Sequence, residues 1–457
     1  MRGAHLSLLL TTLAVSSAQT ESAKPASSLQ SKVDAYVQPL VETRNFSGCI
    51  LVARDGAVLL DRCYGMANYE LEKPNTPRTR FHIASVSKSF TAAAILLLEQ
   101  QGKLKVEDKL AKFIPDYSRG DEITLHHLLT HTSGIPNVNN FAEYNEKSRE
   151  HLSLEQIIAL FKQKPLNFAP GSKYEYSNSN YNLLAYVIEK ASGQSYGEFL
   201  RQNFFGPLGM SMTGNDEDPE QLLPERASGY TPVGYDQIGN AAWLDWTIKT
   251  GNGSLYSTAS DLLKWDQAFN GEKVLKAETI AKMFRKYSTP FSYGWFVRER
   301  FGHRVQAING RSPGFTASLE RFPDDRATVI LTANTYSALT QSMAEGLAAI
   351  LLGQPYKPIL PPHSVSISAD ELRAALVNYE FGKDFYNPGL KVAMREEKGK
   401  LVMDSQGSEN FLIPISATTF VDRLYGGTVS FVRDSSGHVT GLKWNFGEDY
   451  IARRTEP

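Results

Sequence analysis

Two cysteines in 457 residues are too few for a scaffold built from disulfides. Charge of either sign is scarcely in surplus: 48 Lys and Arg face 49 Asp and Glu, for a formal net charge of -1. No whole-molecule field therefore draws nucleic acid or an anionic membrane surface, and neither is expected as a partner. Beyond the first residues no apolar run approaches the roughly 18 needed to cross a bilayer. Internal repeats and low-complexity tracts are missing too. What is present is an ordinary globular composition, 42% hydrophobic, with length for one large core and a second small domain.

The first residues, "MRGAHLSLLLTTLAVSSAQT", combine Arg2, an apolar stretch from Leu6 to Ala14, and small residues at Ser16 and Ala18. This pattern predicts a secretory signal peptide over residues 1–18. No cysteine follows that point to carry a lipid. The expected mature chain is periplasmic or secreted and has no transmembrane segment.

Cys49 and Cys63 flank "ILVARDGAVLLDR", which reads as a hairpin with Asp55 and Gly56 in its turn. A three-residue loop makes the two sulfurs face each other, whereas a two-residue loop puts them one step out of register. Export permits a disulfide, but the spacing leaves that choice open.

A helix is expected over Lys32 to Glu42, then strands over Gly48 to Arg54 and Val58 to Tyr64. Helical periodicity and loops dominate to about Phe284. Strand-like runs return in "YGWFVRER", "HRVQAIN", "FTASLERF" and "RATVILTAN", ahead of an apolar helix from Leu339 to Leu352. Strands at both ends with helices between them predict an α/β (α+β) fold: one antiparallel sheet closed by early and late segments, flanked by helices, with a helical subdomain. Residues 30–355 then form one domain. "GQPYKPILPPHS" reads as a proline-rich connector, and residues 366–457 as a small β-rich, barrel-like domain.

Within "HIASVSKSFTAAAILLLEQQGKL", Ala92 to Leu98 is apolar all round, the mark of a buried helix that Gly102 stops. Ser85 stands at its beginning, and Lys88, three residues on, shares its face. A serine hydroxyl needs a neighbour to take its proton, and a desolvated amine one turn away can do so. Alone, serine-x-x-lysine is expected about twice by chance in a chain this long. A second piece, "PGSKYEYSNSNYNLLAYVIEKASG", sets Tyr176 and Asn178 before a helix expected to begin near Tyr181. A phenol whose pKa is lowered by an adjacent ammonium is a candidate general base, and the amide can orient the lysine and a substrate carbonyl.

In these segments, together with "FSGCILVARDG", "ITLHHLLTHTSGIP", "FFGPLGMSMTG", "STASDLLKW", "YGWF" and "SPGFTASLERFPDD", the chain resembles the serine β-lactamase and penicillin-binding protein superfamily. The branch is that of class C β-lactamases, D-Ala-D-Ala carboxypeptidases, D-aminopeptidases and related esterases. The resemblance runs from about Phe46 to Thr335 and implies a β-lactamase-like fold. It makes Ser85 the acylated nucleophile, Lys88 its activating partner and Tyr176 the general base, with Asn178 lining the pocket. The C-terminal part resembles the small appendage of many bacterial members. The third motif of the superfamily, Lys or His, any residue, then Gly before the "PGF" turn, corresponds here to Ile308, Asn309 and Gly310. The cation is missing. Gly310 still permits close backbone approach, and the N–H groups of Arg311 and Ser85 are the expected oxyanion hole.

Other patterns compete. "GQSYG" matches a nucleophile elbow at Ser195, but a helix precedes it where a strand is required, so it reads as an interhelical turn. His126, His127 and His131 have a spacing that suits zinc, yet no HExxH or third acidic ligand accompanies them. Thr258 and Asp261 read as a helix cap. Trp265, Trp295 and Phe296 read as core, with Tyr293 and Tyr230 as candidates to reach the cleft. The expected function is an exported serine hydrolase acting through a serine acyl-enzyme on an ester, amide or D-amino-acid peptide. Its partners are small-molecule or short-peptide substrates, cell-wall fragments included, and no metal or cofactor is called for. The alternative is a weakened, penicillin-binding-like binding or sensing module.

Overall fold

The computed structural model describes residues 28–455 apart from 235, 288, 338, 360–363, 383–384, 386–388, 398, 406–407 and 446–447. The predicted signal peptide, residues 1–18, lies outside the described residues, as does part of the proline-rich connector. Helix α1 (Ser28–Glu42) leads into strands β1 (Gly48–Arg54) and β2 (Ala57–Tyr64). Helices α2 (Ser87–Gln100) and α3 (Asn178–Ser192) belong to the helical middle. Strands β3 (Phe296–Arg300), β4 (His303–Ser312), β5 (Phe315–Phe322) and β6 (Ala327–Ala333) follow, and then helix α4 (Leu339–Leu352).

The sheet order is β3-β4-β5-β6-β1-β2, antiparallel throughout, so early and late segments close one sheet as the strand spacing predicted. Its inner strands are apolar on both faces because each face is covered. Val33, Val37 and Leu40 of α1 and Met343, Leu347 and Ala348 of α4 pack with Ile50, Val52, Val329 and Leu331 on one side. On the other side Phe90, Ile95 and Leu96 of α2 pack with Leu51, Ile330 and Leu319.

The β1–β2 hairpin settles the cysteine question. Its loop is the two residues Asp55 and Gly56, both at positive φ, since Arg54 faces Ala57. A bulge between Val52 and Ala53 then moves the pairing by one residue, so Cys49 faces Cys63 and the two form a disulfide. A two-residue loop by itself would leave the sulfurs one step out of register, and the bulge restores the pairing.

Beyond the connector a short helix, Ala369–Ala375, precedes eight strands, from Asn378–Phe381 to Asp449–Thr455, which close into a barrel. Alternate residues such as Val392, Met394, Leu401, Met403, Leu442 and Trp444 fill its interior. Arg423, buried, ties the barrel to the rest of the protein. Its guanidinium donates to Asn45 Oδ1 at 2.8 Å, to the Gly234 carbonyl, and to the Arg44 carbonyl at 3.3 Å. No helix among the described residues is long and apolar enough to cross a membrane.

Candidate active site

Ser85 lies in a 3-10 turn, Ala84–Val86, that runs directly into α2. The preceding residue, Ala84, has φ +46, a conformation that costs an L-residue about 1 kcal/mol or more. The turn lifts the Ser85 hydroxyl to a partly exposed position while Val86 and Ser87 are buried. Its first hydrogen bond joins the Val86 N–H to the Ile83 carbonyl at 3.1 Å, so the Ser85 N–H precedes it and has no acceptor within the turn.

Lys88, fully buried, makes three contacts from Nζ: Ser85 Oγ at 3.0 Å, Asn178 Oδ1 at 2.9 Å and the Asn252 carbonyl at 2.8 Å. Burial lowers its pKa well below the ordinary lysine value, and the nearby Lys249 lowers it further. A neutral amine has two hydrogens and one lone pair. Asn178 Oδ1 and the Asn252 carbonyl can only accept, so they take the two hydrogens. The lone pair is left facing Ser85 Oγ.

Tyr176 OH donates to Ser85 Oγ at 3.0 Å. The ammonium was expected to lower the phenol's pKa; instead burial pushes it up to about 12. The cause is desolvation of the buried phenol, which the hydrogen bond to Ser85 only partly offsets. The phenol is thus a donor to Ser85 Oγ.

Tyr176 is held by the loop carrying His131. The Glu175 N–H donates to the His131 carbonyl at 2.9 Å, the Ser177 N–H donates to His131 Nδ1 at 3.2 Å, and the two rings lie 4.3 Å apart. Helix α3 begins at Asn178, three residues ahead of the expected Tyr181. Asn178 sits at its first turn with its amide engaged at both ends, Oδ1 on Lys88 and Nδ2 on Asn139 Oδ1 at 2.9 Å.

Gly310 packs against the turn that carries Ser85. A Cβ there would lie 2.2 Å from the Ile83 carbonyl oxygen and 2.8 Å from Ser85 N. The two-residue turn Pro313-Gly314 makes Ser312 and Phe315 the hydrogen-bonded closing pair of the β4–β5 hairpin. Alternation from that pair directs the Arg311 N–H away from β5. The Arg311 side chain departs to the barrel. It donates to the Leu424 carbonyl, and its guanidinium lies 4.7 Å from the Tyr336 ring and 5.0 Å from that of Tyr425. Ile308, 1% exposed, is absorbed into the apolar cluster with Ile83, Val86 and Phe90.

A cavity of about 690 Å³ opens beside this cluster between the sheet, the helical part and the barrel. Asn139, Lys249, Arg311, Trp243, Glu409 and Tyr425 are among its lining residues. Lys249 and the Asn252 carbonyl had no signal in the sequence reading, since one is a lone lysine and the other a main-chain atom.

The competing patterns resolve locally. Ser195 caps the helix Tyr196–Leu200 by accepting from the Glu198 N–H at 3.3 Å. Thr258 accepts from the Asp261 N–H at 3.1 Å, the expected cap. His126 Nδ1 faces Tyr293 OH at 2.7 Å, His127 Nδ1 accepts from the Thr124 N–H at 3.3 Å, and His131 turns to Ser177. The three imidazoles thus have separate partners. Tyr293 and Tyr230 are both buried, and Tyr230 OH donates to Glu70 Oε2 at 2.5 Å.

The Beta-lactamase family model matches residues 33–352. Penicillin-binding protein 4* of Bacillus subtilis is 28% identical over 451 residues, which cover 92% of this chain and 98% of that protein. Among solved structures, an octameric penicillin-binding protein homologue from Pyrococcus abyssi superposes with a TM-score of 0.65 at 23% identity, over 93% of this chain and 99% of its own. D-amino acid amidase from Ochrobactrum anthropi does so with a TM-score of 0.63 at 21% identity, over 72% and 99%. At these identities the two structures establish likeness of fold.

Proposed function

This chain belongs to the β-lactamase family of serine hydrolases, and on that premise we propose that Ser85 attacks the carbonyl of an ester, amide or D-amino-acid peptide to form an acyl-enzyme. The observation that carries the reading is the contact set of Lys88 Nζ, whose lone pair has only Ser85 Oγ left to face. Ser85 gives its proton to Lys88 as its oxygen bonds the carbonyl carbon. The N–H groups of Ser85 and Arg311 receive the developing oxyanion, a contribution of about 3 kcal/mol to lowering the barrier. Collapse expels the leaving group, which takes its proton from Tyr176, and Lys88 returns a proton to Tyr176. Water then attacks the acyl carbon by the same relay in reverse, releasing the acid and free Ser85. Asn178 orients Lys88 throughout.

Substrates of small-molecule or short-peptide size, cell-wall fragments included, suit a cavity of about 690 Å³. The names of the relatives, a penicillin-binding protein and a D-amino acid amidase, support the D-configured class. Residues 30–355 are the hydrolase domain in this reading and 366–457 the barrel domain. Export to the periplasm or medium is part of it, supported by the N-terminal pattern and by the Cys49–Cys63 disulfide. A second reading, a binding or sensing module, draws on the buried Ile308 where the superfamily has a cation.

Intact-mass spectrometry of the protein exposed to esters, D-peptide amides and β-lactams tests the choice. An acyl adduct that vanishes in Ser85→Ala is expected. No adduct with any probe, together with ligand-induced thermal stabilisation, would replace the enzyme by the binding module.

A further inference from the structure

Lys249 closes the 3-10 turn Trp246–Lys249, is 6% exposed, and lines the cavity beside the nucleophile. A side chain placed on Gly253 would meet Ala84, the neighbour of Ser85, at 3.5 Å and Lys249 Cβ at 3.6 Å, so the lysine stem stands next to the nucleophile's turn. Among the described residues Lys249 makes no ion pair, and its Nζ donates no hydrogen bond; the ammonium rests over the Tyr144 ring at 5.1 Å. Asp245, four residues earlier, spends Oδ1 on the Thr247 N–H and hydroxyl, while its Oδ2 faces His151 at 3.5 Å.

A buried ammonium without a counter-charge is costly, and Lys249 also has a second amine, Lys88, near it. The other cavity charges do not relieve it. Arg149 is exposed at the rim, Arg311 is held by Leu424 and two tyrosine rings, and the carboxylate Glu409 is already engaged by Arg395. Among the described residues the cavity therefore presents two cations with uncommitted donors, the solvated Arg149 and the buried Lys249, and only Lys249 stands next to the turn of Ser85, at a place where Ile308 supplies none.

We infer that Lys249 is a specificity-determining residue whose ammonium anchors a carboxylate carried by the substrate within the cavity beside Ser85. The inference rests on the acyl-enzyme reading, whose substrate it narrows to carboxylate-bearing esters, amides or peptides. The charge missing from β4 thus comes from a different segment of the fold.

The test uses ester pairs that differ only in charge: p-nitrophenyl hemiglutarate against its methyl ester, and the phenylacetyl ester of 3-hydroxybenzoate against that of 3-hydroxybenzamide. The first pair puts the carboxylate on the acyl side, the second on the leaving group. In the native protein the charged member of one pair has the higher kcat/KM. That ratio falls about tenfold or more in Lys249→Met, the worth of one charge-assisted hydrogen bond, and largely returns in Lys249→Arg. Equal ratios in the native protein and Lys249→Met for both pairs overturn the inference, while Ser85-dependent turnover of the uncharged esters keeps the acyl-enzyme reading. Turnover of no ester, or turnover unaffected by Ser85→Ala, removes that reading and the inference with it.

Discussion

Lys88 Nζ donates to the main-chain carbonyl of Asn252 across 2.8 Å, joining segments 164 residues apart in the chain. In the proposed mechanism that bond and the one to Asn178 Oδ1 fix where the lone pair of a neutral Lys88 points, which directs it at Ser85 as the base. Lys88→Met keeps the stem and removes the base. We expect kcat/KM for a p-nitrophenyl ester to fall by about 10³-fold, the range of general-base loss. Stability should drop only about 1–3 kcal/mol, from acceptors left unpaired, as read by urea unfolding. Near-native turnover in a folded Lys88→Met protein would transfer the base role to Tyr176.

The pH dependence follows from the same burial. Lys88 is surrounded by the rings of Tyr176 and Tyr181, by His131 and by Lys249, and its pKa is lowered by desolvation first and by Lys249 second. Protonation at low pH removes the base, so kcat/KM rises with pH through the depressed lysine pKa. It then holds into the alkaline range, because Tyr176 does not ionise until about 12. Lys249→Met removes a positive neighbour and moves the acid limb to higher pH. A pH–rate profile of an uncharged ester reads both, and a limb that stays put in the variant would sever Lys249 from Lys88.

Gly310 is a position where a single methyl group should act on chemistry. The added Cβ would collide with the Ile83 carbonyl and crowd the Ser85 N–H, half of the proposed oxyanion hole. Gly310→Ala is expected to lower kcat about 10²–10³-fold while KM changes less, since the ground-state carbonyl gains less from those donors than the oxyanion does. Steady-state kinetics with one activated ester is sufficient, and an unchanged kcat would place the oxyanion elsewhere.

How much of this was legible in the sequence depends on whether a side chain or the main chain carries the feature. The antiparallel sheet could be read because its apolar runs occur early and late, and the lack of a cation at Ile308 because the "PGF" turn gives a landmark. The bulge that brings Cys49 opposite Cys63 leaves no residue signature, so the sequence left the register of the two cysteines open. Asn252 contributes a carbonyl, which every residue has. The direction of the Tyr176 shift was misread because it depends on burial, and "YSN" carries no measure of burial. Lys249 is one lysine among many until its surroundings are known.

His82 should make the fold acid-sensitive. Its ring is buried, stacks on Trp246 at 3.6 Å and bonds Asp216 Oδ2 at 2.7 Å. Desolvation depresses its pKa to about 4, although Asp216 opposes the shift. Asp216 itself is lowered by His82 and Arg226 against its own burial, so the pair rests as a neutral imidazole donating to a carboxylate. The unfolded chain binds a proton at His82 that the folded chain refuses. Stability is therefore complete above the unfolded value near 6.5 and declines as pH falls toward 4, by about 3 kcal/mol from this group. Urea unfolding of native protein and His82→Gln across that window should give a shallower decline in the variant; parallel curves would assign the acid loss to other groups.

Arg423 is expected to decide whether barrel and hydrolase parts unfold together. Buried at the junction, its guanidinium serves carbonyl groups of Arg44 and Gly234 and the amide of Asn45, so one side chain satisfies acceptors on two separate segments. Arg423→Ala leaves those acceptors buried without donors, at a cost of about 1–3 kcal/mol for each that water cannot reach. The loss falls on the junction and not on either core, because the apolar barrel interior and the two sheet-covering clusters share no residue. Calorimetry should therefore resolve two transitions in the variant where the native protein has one, with cleavage by a protease near the proline-rich connector accelerated. If Tyr425 and Leu424, which line the cavity beside Arg311, depend on that docking, KM should rise in the same variant while Ser85 still acylates. A single unshifted transition with unchanged KM would mean that the barrel is held by other contacts.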